Sequence, residues 1–173
     1  MFLQTFSFYQ ETLMSHLPIS SELNKIAKAI ARSKGRGILV GGAVRDHFLD
    51  RRISKDLDLE VFGLSMQVLE SVLKEFGNIH TAGKSFGVLK LKTQTAEYDF
   101  SLPRREKKTG KGHRGFKITT DPAMSFKEAA SRRDFTINSM GYDLLENTLL
   151  DPFEGIEDIK NKKLQHVGPA FAE

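Results

Sequence analysis

Asp56 and Asp58 flank Leu57 in the segment KDLDLEVFG (55–63). On an extended strand, residues two apart point to the same face about 6–7 Å from each other. Two carboxylates so placed can converge on one hard cation or bracket two. Without a cation their like charges repel. A lone D-x-D is common, and by itself it more often marks a solvent-facing strand edge. Asp99 is the candidate third acid. In YDFSL it shares a face with Glu97 and Ser101, opposite Tyr98, Phe100 and Leu102. A strand laid beside 56–58 would bring three carboxylates to one spot, with Glu97 the weaker candidate for that place.

A second feature precedes the acids. Gly41 and Gly42 follow the apolar run Ile38, Leu39, Val40 and open a short helical stretch. Glycine lets backbone approach a phosphate closely, and a helix start presents free N–H groups. Arg45, one turn in, can fork onto phosphate oxygens. A plain strand–turn–helix connection, with Arg45 paired to Asp46 or Asp50, is the alternative. A third feature follows the acids. The segment 103–117, PRREKKTGKGHRGFK, holds seven basic residues against one acid, in a chain whose net charge is +4. The rest of the chain is slightly acidic. Basicity confined to one patch marks a polyanion site more than a solvated loop.

The elements that must position these residues alternate along the chain. Leu23, Ile26, Ala27 and Ile30 recur at helical spacing over 20–33, capped by Ser20 or Ser21. Strands are expected at 38–40, 57–61, 86–92 and 96–102. A hairpin is expected around Asn147 (141–145 and 148–150), and a last strand at 164–167. Helices are expected at 43–50, 65–76, 123–133, 135–140 and 156–161. Early strands alternate with helices and later ones adjoin. This reads as an α+β fold, a mixed, largely antiparallel sheet of about five strands with helices packed on it.

Composition bounds the rest. The chain has 173 residues, 39% hydrophobic and 28% charged, with no cysteine. That suits one core and excludes disulfides, thiolate zinc sites and a cysteine nucleophile. No apolar run reaches the ~20 residues of a membrane span. The start, MFLQTFSFYQETLMSHL, lacks a basic n-region, which makes a cytoplasmic location the expectation.

Five segments occur in order: LVGGAVRD (39–46), KDLDLEVFG (55–63), YDFSLPRREKKTGKGHRGF (98–116), RRDFTIN (132–138) and LLDPFEGIEDIKNKKLQHV (149–167). Together they resemble the head domain of class II tRNA nucleotidyltransferases (CCA-adding enzymes) and bacterial poly(A) polymerases. These belong to the DNA polymerase β-like nucleotidyltransferase superfamily. The resemblance covers residues 36–173 and leaves 1–35 as an N-terminal extension and helix packed on the head. It implies that Asp56, Asp58 and Asp99 hold two Mg²⁺ ions and are catalytic. It implies that Gly41, Gly42 and Arg45 hold the triphosphate of ATP or CTP, and that Arg133 and Asp134 contact the nucleotide. Asn138 is either a cap or a further contact, and Arg132 is expected in a surface ion pair. Arg104, Arg105, Lys107, Lys108, Lys111 and Arg114 fall in the family's flexible loop and are expected to meet RNA. Asp151, Gly155 and Asp158 match a connector. The implied reaction is template-independent addition of C or A to tRNA 3′ ends. A poly(A) polymerase head and a non-catalytic RNA- or nucleotide-binding module are the other readings. The resemblance also implies a neck helix with base-selecting residues, a body and a tail beyond GPAFAE, and little CCA synthesis by this segment alone.

Overall fold

The computed structural model describes residues 17–51, 57–80, 87–108 and 116–168. The fold is α+β. Seven strands form one sheet in the order β3-β4-β5-β2-β1-β8-β9, and two more form a separate ribbon, β6-β7. The strands are β1 Arg36–Val40, β2 Leu57–Phe62, β3 Asn78–His80, β4 Val88–Lys92, β5 Glu97–Ser101, β6 Arg104–Lys108, β7 Phe116–Thr120, β8 Gly141–Asp143 and β9 Thr148–Leu150. The helices are α1 Ser21–Arg32, α2 Gly42–Phe48, α3 Met66–Leu73, α4 Phe126–Ala130 and α5 Gly155–Lys160. Every pair in the main sheet is antiparallel except β2 with β5.

Alternation along the strands gives the sheet two unlike faces. Leu39, Leu59, Val61, Leu89, Leu91, Tyr98 and Phe100 point one way and form the main core with α1 and α3. Ser20 caps α1 by accepting from the Leu23 N–H at 3.1 Å, and Leu23, Ile26, Ala27 and Ile30 face the sheet. Ser65 caps α3 in the same way. The other face carries a small apolar patch of Ile38, Val40 and Phe62 under Met124 and Ala129. Its α4 is closed by a capping box, Ser125 and Glu128 each bonding the other's backbone. Gly141 sits where α4 presses hardest. A Cβ there would lie 2.5 Å from the Phe126 ring and 2.7 Å from Ile38.

The sheet has two strands more than the periodicity suggested. The hairpin expected at 141–145 and 148–150 is β8–β9, while the edge strand β3, not expected, spans three residues, too few to display a period. The basic segment is strand at both ends, β6 and β7, with 109–115 outside the described residues. Helix α4 ends at Ala130, not 133, because Arg132, Arg133 and Asp134 run on in a bend to a short 3-10 turn, Thr136–Asn138. The strand expected at 164–167 reduces to a single bridge, Phe135 with His166.

Candidate active site

Two cross-strand rows on the second face hold the polar chemistry. In the first row, Lys90 on β4 pairs with Asp99 on β5, Asp99 with Asp58 on β2, and Asp58 with Val40 on β1. In the second, Val88 pairs with Ser101, Ser101 with Glu60, Glu60 with Ile38, and Ile38 with Asp143 on β8. Side chains of one row share a face, so Asp58 and Asp99 stand side by side. Two of the three acids expected from the sequence are therefore neighbours, and Asp56 lies outside the described residues. Among the described residues no group of three acids or histidines is gathered closely enough to hold a metal. Glu97, the weaker candidate, pairs instead with Lys92 at 3.0 Å on the exposed end of the strand.

The Lys90 ammonium meets both oxygens of Asp99, at 3.0 Å and 2.6 Å. Two like charges in adjacent strand positions are tolerated where a cation stands against them, and here a lysine does so.

Gly41 ends β1 on the other flank of Asp58. Its φ of 71° lies in the left-handed region that favours glycine. A Cβ there would sit 3.8 Å from Asp58 Oδ2 and 3.6 Å from an Arg133 Nη, filling the space between the acid and the guanidinium. Gly42 begins α2, and its missing Cβ would lie 3.4 Å from Arg45. Arg45 donates to Asp46 Oδ1 through Nε at 2.9 Å and to Asn138 Oδ1 at 2.7 Å. Asn138 in turn donates to Asp134 Oδ1 at 3.0 Å. Burial pushes the Asp134 carboxyl up, but the Asn138 amide and the Phe135 N–H more than offset this and hold it below its ordinary value. Of the alternatives for Arg45, the pairing with Asp46 is the one the structure contains. Arg45 is paired to Asp46, and Asn138 locks it to the RRDFTIN segment.

A cavity of about 340 Å³ opens beside the acid pair, lined among others by Asp58, Asp99, Glu60, Arg104, Arg132 and Arg133. Arg133 was expected at the nucleotide and Arg132 in a surface ion pair, away from the site; both line this cavity. Adjacent residues on a helix diverge by about 100°, but α4 has ended at Ala130, before them. Glu60 was not singled out by its sequence, although it lies two residues from Asp58 on the same strand and so shares its face. It is 6% exposed, and Arg133 Nη2 is 3.7 Å from its Oε2, too long for a hydrogen bond. Glu60 Oε2 and Arg133 Nε have no hydrogen-bond partner. Burial raises the Glu60 carboxyl above its ordinary value and outweighs the pull of Arg133, Arg132 and Arg104.

The basic segment divides. Arg104 lines the cavity. Arg105 does not point to an empty surface, since it bonds Asp121 at 2.8 Å and reaches Glu128 at 3.5 Å. Lys107 and Lys108 lie on β6, and Lys111 and Arg114 fall outside the described residues. The connector residues act locally. Asp151 accepts from the N–H groups of Gly155 and Ile156 at 2.7 and 2.9 Å, and buried Asp158 accepts from Thr136 Oγ1 at 2.5 Å. That bond ties α5 to the 3-10 turn carrying Asn138.

The chain has relatives among known proteins and solved structures. The Multifunctional CCA protein of Stenotrophomonas maltophilia (strain R551-3) is 42% identical over 135 residues, which is 78% of this chain and 31% of that protein. The crystal structure of the Bacillus stearothermophilus CCA-adding enzyme in complex with CTP superposes with a TM-score of 0.69 at 25% identity, covering 88% of this chain and 35% of that one. A tRNA nucleotidyltransferase complexed with a primer tRNA and an incoming ATP analog gives 0.66 at 30% identity, over 84% and 39%. The chain thus spans about a third of the length of these relatives. The Poly A polymerase head domain family matches residues 38–165, a stretch holding both acid-bearing strands, the diglycine turn and the arginine bend. The chain belongs to the Poly A polymerase head domain family.

Proposed function

We propose that this chain is the nucleotidyl-transfer head of a cytoplasmic tRNA 3′-end-adding enzyme. Residues 36–173 form the head, and residues 1–35 are an extension whose helix α1 packs on it. The observation that carries the reading is the register of Asp58 against Asp99 on adjacent strands, with Gly41 on the flank of Asp58. The relatives bound to CTP and to an ATP analog with primer tRNA support nucleoside triphosphates and tRNA as substrates.

The donor set suits Mg²⁺. All the atoms are carboxylate oxygens, which hard divalent ions prefer, and the row already attracts a cation in Lys90. Asp58 and Asp99, joined by Asp56, would hold it. When bound, it lowers the pKa of the attacking hydroxyl and neutralises the leaving phosphates. The chain's own residues do the remainder by alignment. Gly41 and Gly42 admit the triphosphate close to the backbone. Arg45, fixed by Asp46 and Asn138, and Arg133, beside Gly41, bind its oxygens. Asp134 meets the ribose. An Asp99 oxygen accepts the proton of the RNA 3′-hydroxyl as the hydroxyl oxygen bonds the α-phosphorus. The bond to the β-phosphate breaks and pyrophosphate leaves. Arg104, with Lys107, Lys108, Lys111 and Arg114 of the basic segment, holds the RNA through salt-sensitive, sequence-independent contacts.

Addition of C and A to tRNA is favoured over a poly(A) head by the relatives named above. A binding module without catalysis fits less well, since the relatives named above are a CCA-adding enzyme and a tRNA nucleotidyltransferase. The test is incubation of the full chain with Mg²⁺, CTP or ATP, and a tRNA lacking its 3′ end. Parallel measurement of nucleotide binding reads the site directly. Magnesium-dependent binding of both nucleotides, lost in Asp58→Asn, is expected. Binding that ignores both magnesium and that substitution would refute the assignment.

A further inference from the structure

Lys90 is not accounted for by the reaction above. The alternation of VLKLK (88–92) sends Leu89 and Leu91 into the core and Lys90 and Lys92 to the polar face. The two lysines meet different partners. Lys92 joins Glu97 in a pair with both side chains more than half exposed, a surface contact of the ordinary kind. Lys90 meets Asp99, whose side chain is 35% exposed and whose row neighbour is Asp58. Its ammonium engages both Asp99 oxygens, at 3.0 and 2.6 Å. Those oxygens are the ones a divalent ion shared with Asp58 would need.

We propose that Lys90 is a built-in cation of the acid pair. It competes with the divalent ion for Asp99 and keeps that ion weakly bound until a triphosphate brings further oxygen ligands. This rests on the nucleotidyl-transfer reading of the same acids. Two physical consequences follow from the row geometry. Without metal, Lys90 offsets the repulsion between Asp58 and Asp99 and holds the Asp99 carboxylate in place. With metal, it must release at least one Asp99 oxygen, and its positive charge stays nearby, so the ion's affinity is lowered twice over. A metal–triphosphate complex is less penalised, because it carries negative charge toward the lysine. Lys90 is thus a positioning residue that couples metal occupancy to nucleotide arrival.

The experiment is a titration of the full chain with Mn²⁺, the unbound ion being read by its electron paramagnetic resonance signal, with and without ATP. Lys90→Met should bind Mn²⁺ roughly tenfold tighter than the parent in the absence of ATP, the scale expected for deleting one charge a few ångströms from a partly solvated divalent ion. Lys90→Arg should behave as the parent, because it restores the charge. With ATP present the gap between Lys90→Met and the parent should narrow. Lys90→Gln serves as a second neutral variant, and at this exposed position both substitutions leave the core untouched. Asp99→Asn, in the same titration, should lose the ion. Neutral variants that bind Mn²⁺ no tighter than the parent, while Asp99→Asn loses it, would overturn the role of Lys90 and leave the transfer reading standing. An Asp99→Asn chain that binds as the parent does would remove the acid pair as the metal site and sink both.

Discussion

Glu60 and Asp143 are buried acids in the same cross-strand row, separated only by Ile38. Asp143 is fully engaged. Arg36 Nε donates to one oxygen at 2.5 Å, and the N–H groups of Leu145 and Glu146 donate to the other at 2.9 and 3.0 Å. It shapes the β8–β9 hairpin and lies away from the cavity. Glu60 keeps an oxygen with no hydrogen bond and a guanidinium 3.7 Å away. Folded proteins satisfy almost all buried polar atoms, and exceptions gather where function needs them. The row therefore passes from structural acid to site acid within three strands, and the difference lies in partners, not in depth of burial.

The sharpest way to break this contrast is to neutralise acids on either side of it. Asp58→Asn or Asp99→Asn should cut nucleotide incorporation by roughly a thousandfold or more, about 4 kcal/mol of transition-state stabilisation. Thermal melting should shift little, since the change relieves repulsion as well as removing a partner. Asp143→Ala should do the reverse. It strips the hairpin of three hydrogen bonds, and half-exposed Arg36 returns to water, for a loss of about 2 kcal/mol in denaturant unfolding. Incorporation per folded molecule should be unchanged. If Asp143→Ala impairs incorporation as strongly as Asp99→Asn, the row has no boundary between scaffold and site. A smaller effect is expected at Asn138→Ala, which unlinks Arg45 from Asp134. The Michaelis constant for the nucleotide should rise about tenfold, equivalent to 1.4 kcal/mol, with melting nearly unchanged.

How much of this could be read in the chain depends on the range of the interactions. Period two within β2 and β5 put Asp58 and Asp99 on the correct face, and Ser20 with its apolar periodicity marked α1 almost to the residue. These are local signals. Glu60 was missed although it continues the i, i+2 series from Asp58, because alternation inside LDLEVF reads as an ordinary half-buried strand. Its burial comes from α4 and Arg133, more than 60 residues later in sequence. The Lys90–Asp99 pair needs the β4–β5 register, and the shared cavity of Arg132 and Arg133 needs α4 to stop at Ala130. Arg105 has the composition of an RNA contact and the partners of a structural ion pair. Charge content alone does not distinguish the two.

The smallest expected effect sharpens the comparison most, because its size depends on pH. Burial raises the folded-state affinity of Glu60 for its proton, so the neutral acid is the form the fold prefers. Its contribution to stability is fully present below the ordinary carboxylate range, where the unfolded chain is also protonated. It is lost as pH climbs through the higher folded value, since folding must then either bury a charge or retain a proton. Glu60→Gln removes this dependence while keeping the shape. The variant should match the parent near pH 4 and exceed it by on the order of 1 kcal/mol at pH 8 in denaturant unfolding. Asp143 has a strong partner on each oxygen, so Asp143→Asn should instead weaken the fold at pH 8. If Glu60→Gln also weakens it there, the Arg133 attraction outweighs burial, and Glu60 belongs with Asp143 among the structural acids.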